Sequence, residues 1–125
     1  MITLSWKNIK IEKINSIEKL VAEFDITALD LLSDVFENDA NYYGGFKVKV
    51  YETQDQNSLI LTGYTNLKIL DLTGHYEGAV GFGNTIEDAL EDTLNQFIKK
   101  LNNCISDKGS LLTLNNFKIV SYDEF

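Results

Sequence analysis

Gly81-Phe82-Gly83-Asn84-Thr85-Ile86-Glu87-Asp88-Ala89-Leu90-Glu91-Asp92-Thr93-Leu94-Asn95-Gln96-Phe97-Ile98-Lys99-Lys100-Leu101 is the stretch that decides the fold. Thr85 stands where an N-cap belongs, and Asp88 follows at the capping-box distance. Ile86, Ala89, Leu90, Leu94, Phe97, Ile98 and Leu101 then recur at helical spacing and mark one apolar face. Glu87 and Asp88 in the first turn, with Lys99 and Lys100 late, suit the helix dipole. The spacing predicts an amphipathic helix over 85–103, closed by Asp107-Lys108-Gly109-Ser110. Gly81 to Asn84 reads as a tight strand-to-helix turn. Its glycines invite comparison with a phosphate cradle, but Glu87 and Asp88 would repel a phosphate, and no P-loop lysine follows.

Upstream, apolar alternation marks four strands: Phe46 to Val50, Leu59 to Tyr64, Leu67 to Leu72 and Tyr76 to Phe82. Their links are too short for crossovers, so they form an antiparallel meander. Downstream, 111–114 and 117–122 read as a hairpin about Asn115-Asn116. In residues 1–45, Ile2, Leu4 and Trp6, continued by Ile9 and Ile11, suggest an N-terminal strand. Ile17, Leu20, Val21 and Phe24 fall at i, i+3, i+4, i+7 and predict a short helix. A second is predicted over 27–38, capped by Thr27, with Asp30, Asp34 and Glu37 on the face opposite Leu31, Leu32 and Val35. Gly44-Gly45 is a hinge candidate. The fold class is therefore α+β: an antiparallel sheet of four or more strands against one long helix, with an N-terminal strand and one or two short acidic helices. One domain spans 1–125, residues 1–45 being an addition to a unit over 46–125.

The chain has 125 residues, 44% of them hydrophobic, which suffices for a core without a disulfide or structural metal. No run approaches the ~18 apolar residues of a membrane span. Cys104 is the only cysteine, so a disulfide scaffold is excluded, and the start has no signal-peptide pattern. A cytoplasmic protein is the expectation. Every base is Lys, and the formal charge is −8. An acidic chain without Arg is poorly suited to holding nucleic acid itself. Charge is uneven. Residues 1–22 carry four Lys against two Glu, whereas 23–45 carry Glu23, Asp25, Asp30, Asp34, Glu37 and Asp39 and no base.

No arrangement recommends catalysis. His75 follows Gly74 in a turn, Cys104 ends an amphipathic helix, and no third group orients either. One His and one Cys do not make a zinc tetrad, and no acid spacing matches a calcium loop. No catalytic residue, metal ligand or cofactor is assigned. Tyr42, Tyr43 and Tyr51 read as exposed, and Tyr42-Tyr43 beside the acidic helix has the character of interface anchors.

The segment Asp71-Leu72-Thr73-Gly74 through Gly81-Phe82-Gly83-Asn84-Thr85-Ile86-Glu87-Asp88-Ala89-Leu90 resembles the partial RNase H module of HicB antitoxins. There a strand ends in Asp-x-Pro-Gly, and Gly-Asp-Thr opens a helix. The likeness covers about residues 46–101, with Thr73 in place of the Pro and Asn84 in place of the Asp. Two predicted strands follow the helix where that family carries a DNA-binding domain. The resemblance implies a module that is not a nuclease. In overall character the chain also resembles small acidic anti-CRISPR and other anti-defence proteins of phages.

Charge and resemblance together lead to one expectation. This is a non-enzymatic inhibitor, phage or mobile-element encoded, that blocks a basic nucleic-acid-binding surface of a host defence protein by mimicking DNA. Asp30 to Asp34 spans ~6 Å of helix axis, against a phosphate about every 3.4 Å along one strand of B-DNA. The expected contacts are Asp30, Asp34, Glu37 and Asp39, with Tyr42 and Tyr43 as anchors. The partner is a basic protein, a nuclease or a toxin, with no direct nucleic acid and no membrane. The alternatives are a HicB-like antitoxin or immunity protein and a small assembly protein. The oligomeric state stays open, a homodimer included.

Overall fold

In the computed structural model, which describes residues 5–35, 44–54, 60–121 and 124–125, the Thr85 hydroxyl accepts from the Asp88 N–H at 3.0 Å. From that cap the long helix, α2, runs Ile86–Lys108. It outlasts the predicted helix because Cys104 and Ile105 prolong the core-facing row. Gly109, at φ 73°, then ends it in the left-handed conformation, which glycine adopts without a Cβ clash.

Among the described residues five antiparallel strands form one sheet: β1 (Glu18–Thr27), β2 (Gly45–Thr53), β3 (Leu61–Leu70), β4 (Tyr76–Gly83) and β5 (Phe117–Ile119). Their order is β1-β2-β3-β4, and β5 pairs with β3. A short helix, α1 (Leu29–Val35), follows β1. The α+β class stands, with an antiparallel sheet of five strands and two helices.

Several expectations change in detail. Residues 17–24 are not a helix, because β1 begins at Glu18. Ile17, Leu20, Val21 and Phe24 do fall at helical spacing, but Ala22, Phe24 and Ile26 also alternate. Pairing with Val50, Val48 and Phe46 of β2 selects the second pattern. Thr27 therefore ends a strand instead of capping a helix, and α1 starts at Leu29. The described part of the expected N-terminal strand holds only a 3₁₀ turn, Trp6–Asn8.

The two strands predicted over 59–72 are one, β3. Asn66, between the two predicted strands, lies within it. It is buried, its Oδ1 accepts from the Lys47 N–H at 2.7 Å, and its Nδ2 donates to the Val120 carbonyl at 3.2 Å. At that point β2 leaves the edge of β3 and β5 takes its place, and the amide closes the gap between them. The C-terminal hairpin is absent too. The Leu112 N–H donates to the Val35 carbonyl, Leu114–Asn116 is a 3₁₀ turn, and β5 joins the sheet.

α2 packs on one face of the sheet, over β3 and β4. Phe97 stacks on Phe46 at a centroid distance of 4.2 Å. The expected buried face is rotated, because Ile98 is exposed and Thr93 is fully buried. Gly63 and Gly81 explain the rotation. A Cβ on either would run into Thr93, so the bare backbones of β3 and β4 form the floor on which Thr93 sits. The Thr93 hydroxyl satisfies itself by donating to the Ala89 carbonyl at 2.7 Å. Gly81 and Gly83 are thus contact residues within β4, not a turn. Gly45 is likewise a strand residue in close approach to Ile26, not a hinge.

Candidate functional site

The six acids of 23–45 divide by element. Glu23 and Asp25 lie on β1, opposite Lys49 and Lys47 of β2. Lys47 Nζ sits 2.5 Å from Asp25 Oδ1 and 4.0 Å from Glu23 Oε1. The chain's own lysine therefore counters two of the six, and the acidic stretch is not one continuous surface. Asp30 and Asp34 are on α1 and exposed. Being i and i+4, they share one side of the helix, while Leu32 and Val35 anchor the opposite side in the core. Among the described residues neither forms an ion pair. Glu37, Asp39, Tyr42 and Tyr43, and the helix predicted beyond Val35, lie outside the described residues. The structure therefore brings together only Asp30 and Asp34 of the expected contact set.

Tyr51, read as exposed, is half-buried and meets Tyr64 edge-on at 5.8 Å. Burial first, then Glu18 and Tyr51, push the Tyr64 hydroxyl above its ordinary range.

The His75 turn is tightly bonded. Asp71 Oδ1 accepts from the Thr73 hydroxyl at 2.6 Å, from the Thr73 N–H at 2.9 Å and from the His75 N–H at 3.0 Å. Thr73 Oγ1 also lies 2.8 Å from His75 Nδ1. The Thr73 hydroxyl bond leads in holding the Asp71 carboxyl below its usual range. These bonds shape a turn in which Gly74 takes φ 86°. They turn the threonine hydroxyl toward the Asp71 carboxylate. Cys104 lies against the Leu70 carbonyl at 3.4 Å, and burial pushes its thiol up, away from the reactive thiolate. Among the described residues no group of three or more His, Cys, Asp or Glu is placed to hold a metal ion. No described helix is long and apolar enough to cross a membrane.

One feature escaped the sequence reading, which is the sheet face away from α2. Register sets Leu20, Tyr51, Thr62 and Phe82 in one row across four strands, and Glu23, Lys49, Tyr64 and Val80 in the next. Phe82 is 57% exposed there, and Leu20, Val80 and Tyr76 are exposed with it. The signal was present in β4, where large residues at 76, 80 and 82 alternate with Gly81 and Gly83. Which of the two sets met the helix depended on register.

Comparison with protein-family models, characterised proteins and solved structures finds no match to this chain.

Proposed function

We propose that this chain is a non-enzymatic, acidic protein-binding inhibitor that docks on a basic, nucleic-acid-handling surface of another protein, its carboxylates taking the place of phosphates. The observation that carries the reading is the pair Asp30 and Asp34, one turn apart on an exposed side of α1 and without an internal counter-ion among the described residues. A charge of −8 without arginine supports it by favouring long-range attraction to a positive partner and disfavouring direct nucleic-acid contact. The resemblance to small acidic anti-defence proteins supports the partner class, a nuclease or toxin of a defence system. Glu37, Asp39, Tyr42 and Tyr43, which follow α1 in sequence, complete the proposed contact set.

Capture from a host lysate at low and high salt, with the chain and its Asp30→Lys/Asp34→Lys variant, tests the reading. A nucleic-acid-handling protein retained at low salt, released at high salt and bound several-fold more weakly by the variant is expected. Retention unaffected by either change would sink the assignment.

A further inference from the structure

We infer that the chain associates with a second copy of itself, the loop Ile9 to Ile14 of one copy docking on the outer edge of β4 and the adjoining flank of α2 in the other. The inference does not depend on the proposed function.

The loop is an unusual surface element. It leaves the corner where Gln54 Nε2 donates to the carbonyls of Trp6 and Ile9 and where Lys7 pairs with Glu52 at 2.5 Å. It returns to the same corner at Glu18, opposite Thr53. Between these points it projects Ile9, Ile11 and Ile14, with Ile11 62% exposed. The Ile14 N–H donates to the Ile11 carbonyl, closing a turn that holds Lys13 at φ 70°. A left-handed lysine costs on the order of 1 kcal/mol, so this turn is held against the backbone's preference. Its polar residues are Lys10, Glu12 and Lys13. Residues 1–22 carry four lysines against two acids.

The β4 edge complements the loop in both respects. β4 ends the strand order, so among the described residues its outer side carries no strand. The Phe82 N–H aims outward and is taken by Asp92 Oδ2 of α2 at 2.8 Å, a cap that blocks simple strand addition. Below that edge the side chains of Val80 and Phe82 are exposed. Above it stand Asp88, against Gly83, and Asp92, against Phe82, in the first two turns of α2. An isoleucine-lysine loop therefore faces a valine-phenylalanine edge with an acidic rim. The net charge of −8 opposes association only weakly at this range, since the Debye length is ~8 Å at physiological salt. A chain cannot fill its own edge from this loop, because both ends of the loop are fixed at the β1–β2 corner, on the far side of β3 from β4.

Sedimentation over a concentration series, at low and high salt, tests the inference. The wild-type chain should rise in mean mass from 14.2 kDa to twice that value or beyond, since one loop-to-edge contact leaves a loop and an edge free, and less readily at high salt. Ile11→Ser and Phe82→Ser should each weaken association roughly tenfold or more, and their exposure leaves folding intact, checked by thermal melts. Mixing the two variants is decisive. Ile11→Ser keeps a good edge and Phe82→Ser a good loop, so the mixture should recover a one-to-one dimer. Lys13→Glu, which leaves the isoleucines in place, should weaken association and flatten its salt dependence. A wild type that stays monomeric throughout, association that survives both serine variants, or a mixture that recovers nothing would each overturn the inference. The last result would point to a symmetric contact between identical patches.

Discussion

The two faces of the sheet are built from the same strands by opposite means. Toward α2, β3 and β4 present Gly63, Gly81 and Gly83, and the helix supplies the bulk through Thr93 and Phe97. Away from α2, the neighbouring positions carry Thr62, Tyr64, Val80 and Phe82, and no described helix covers them. One face gains stability by letting backbone approach backbone. The other leaves Val80 and Phe82 standing in solvent. Hydrophobicity alone does not separate them, since Phe82 is as apolar as Phe97. What separates them is which phase of the β4 alternation lies beneath Thr93.

The contrast is sharpest between the two phenylalanines. Phe97 is 1% exposed and rests on Phe46. Phe97→Ala should cost about 3–5 kcal/mol, the lost transfer free energy plus a cavity. Phe82→Ala, the same deletion on the open face, should cost about 1 kcal/mol or less. Urea unfolding of both variants at a concentration where the chain is monomeric makes the comparison. Equal losses would mean that the open face is part of the folding core.

Asn66 marks the junction at which the sheet changes partners, and its loss should rank next. Asn66→Ala leaves the Lys47 N–H and the Val120 carbonyl without their amide partner in a part-buried seam. The expected destabilisation is roughly 1–3 kcal/mol. Amide hydrogen exchange should quicken at Lys47 and through β5 while α2 stays protected. A uniform loss over the whole chain would instead make Asn66 part of the main core.

How much of this was legible beforehand follows from whether the deciding contact was local. Thr85, Asp88 and the periodicity to Leu101 state a helix in terms of neighbours three and four residues apart, and α2 appears where they put it. β2 and β4 were equally plain from their alternation. Residues 17–24 carried two periods at once, and the choice lay in pairing with β2, more than twenty residues away. Asn66 looks like a turn residue in any local window, because its two partners come from Lys47 and Val120. The acidic stretch misled for the same reason. Glu23 and Asp25 read as solvated until register set Lys47 beside them, whereas Asp30 and Asp34 kept the exposure their helical phase predicts. The open face was ambiguous, because no single strand announces which of its two sides a helix will cover.

The ion pair on that open face should contribute least. Lys47 reaches Asp25 at 2.5 Å, yet the Asp25 side chain is 80% exposed. An exposed pair of this kind contributes about 0–1 kcal/mol, since the side-chain entropy of holding it offsets most of the Coulomb gain. Asp25→Asn should therefore lower stability by only a few tenths of a kcal/mol, and by less as salt rises. Glu23, at 4.0 Å from the same ammonium, remains to hold Lys47 across the strands. A loss near that of Asn66→Ala would require Asp25 to act as a buried partner. The cross-strand pairs of β1 would then belong to the core, and the boundary between the two faces would have to be drawn further toward the open side.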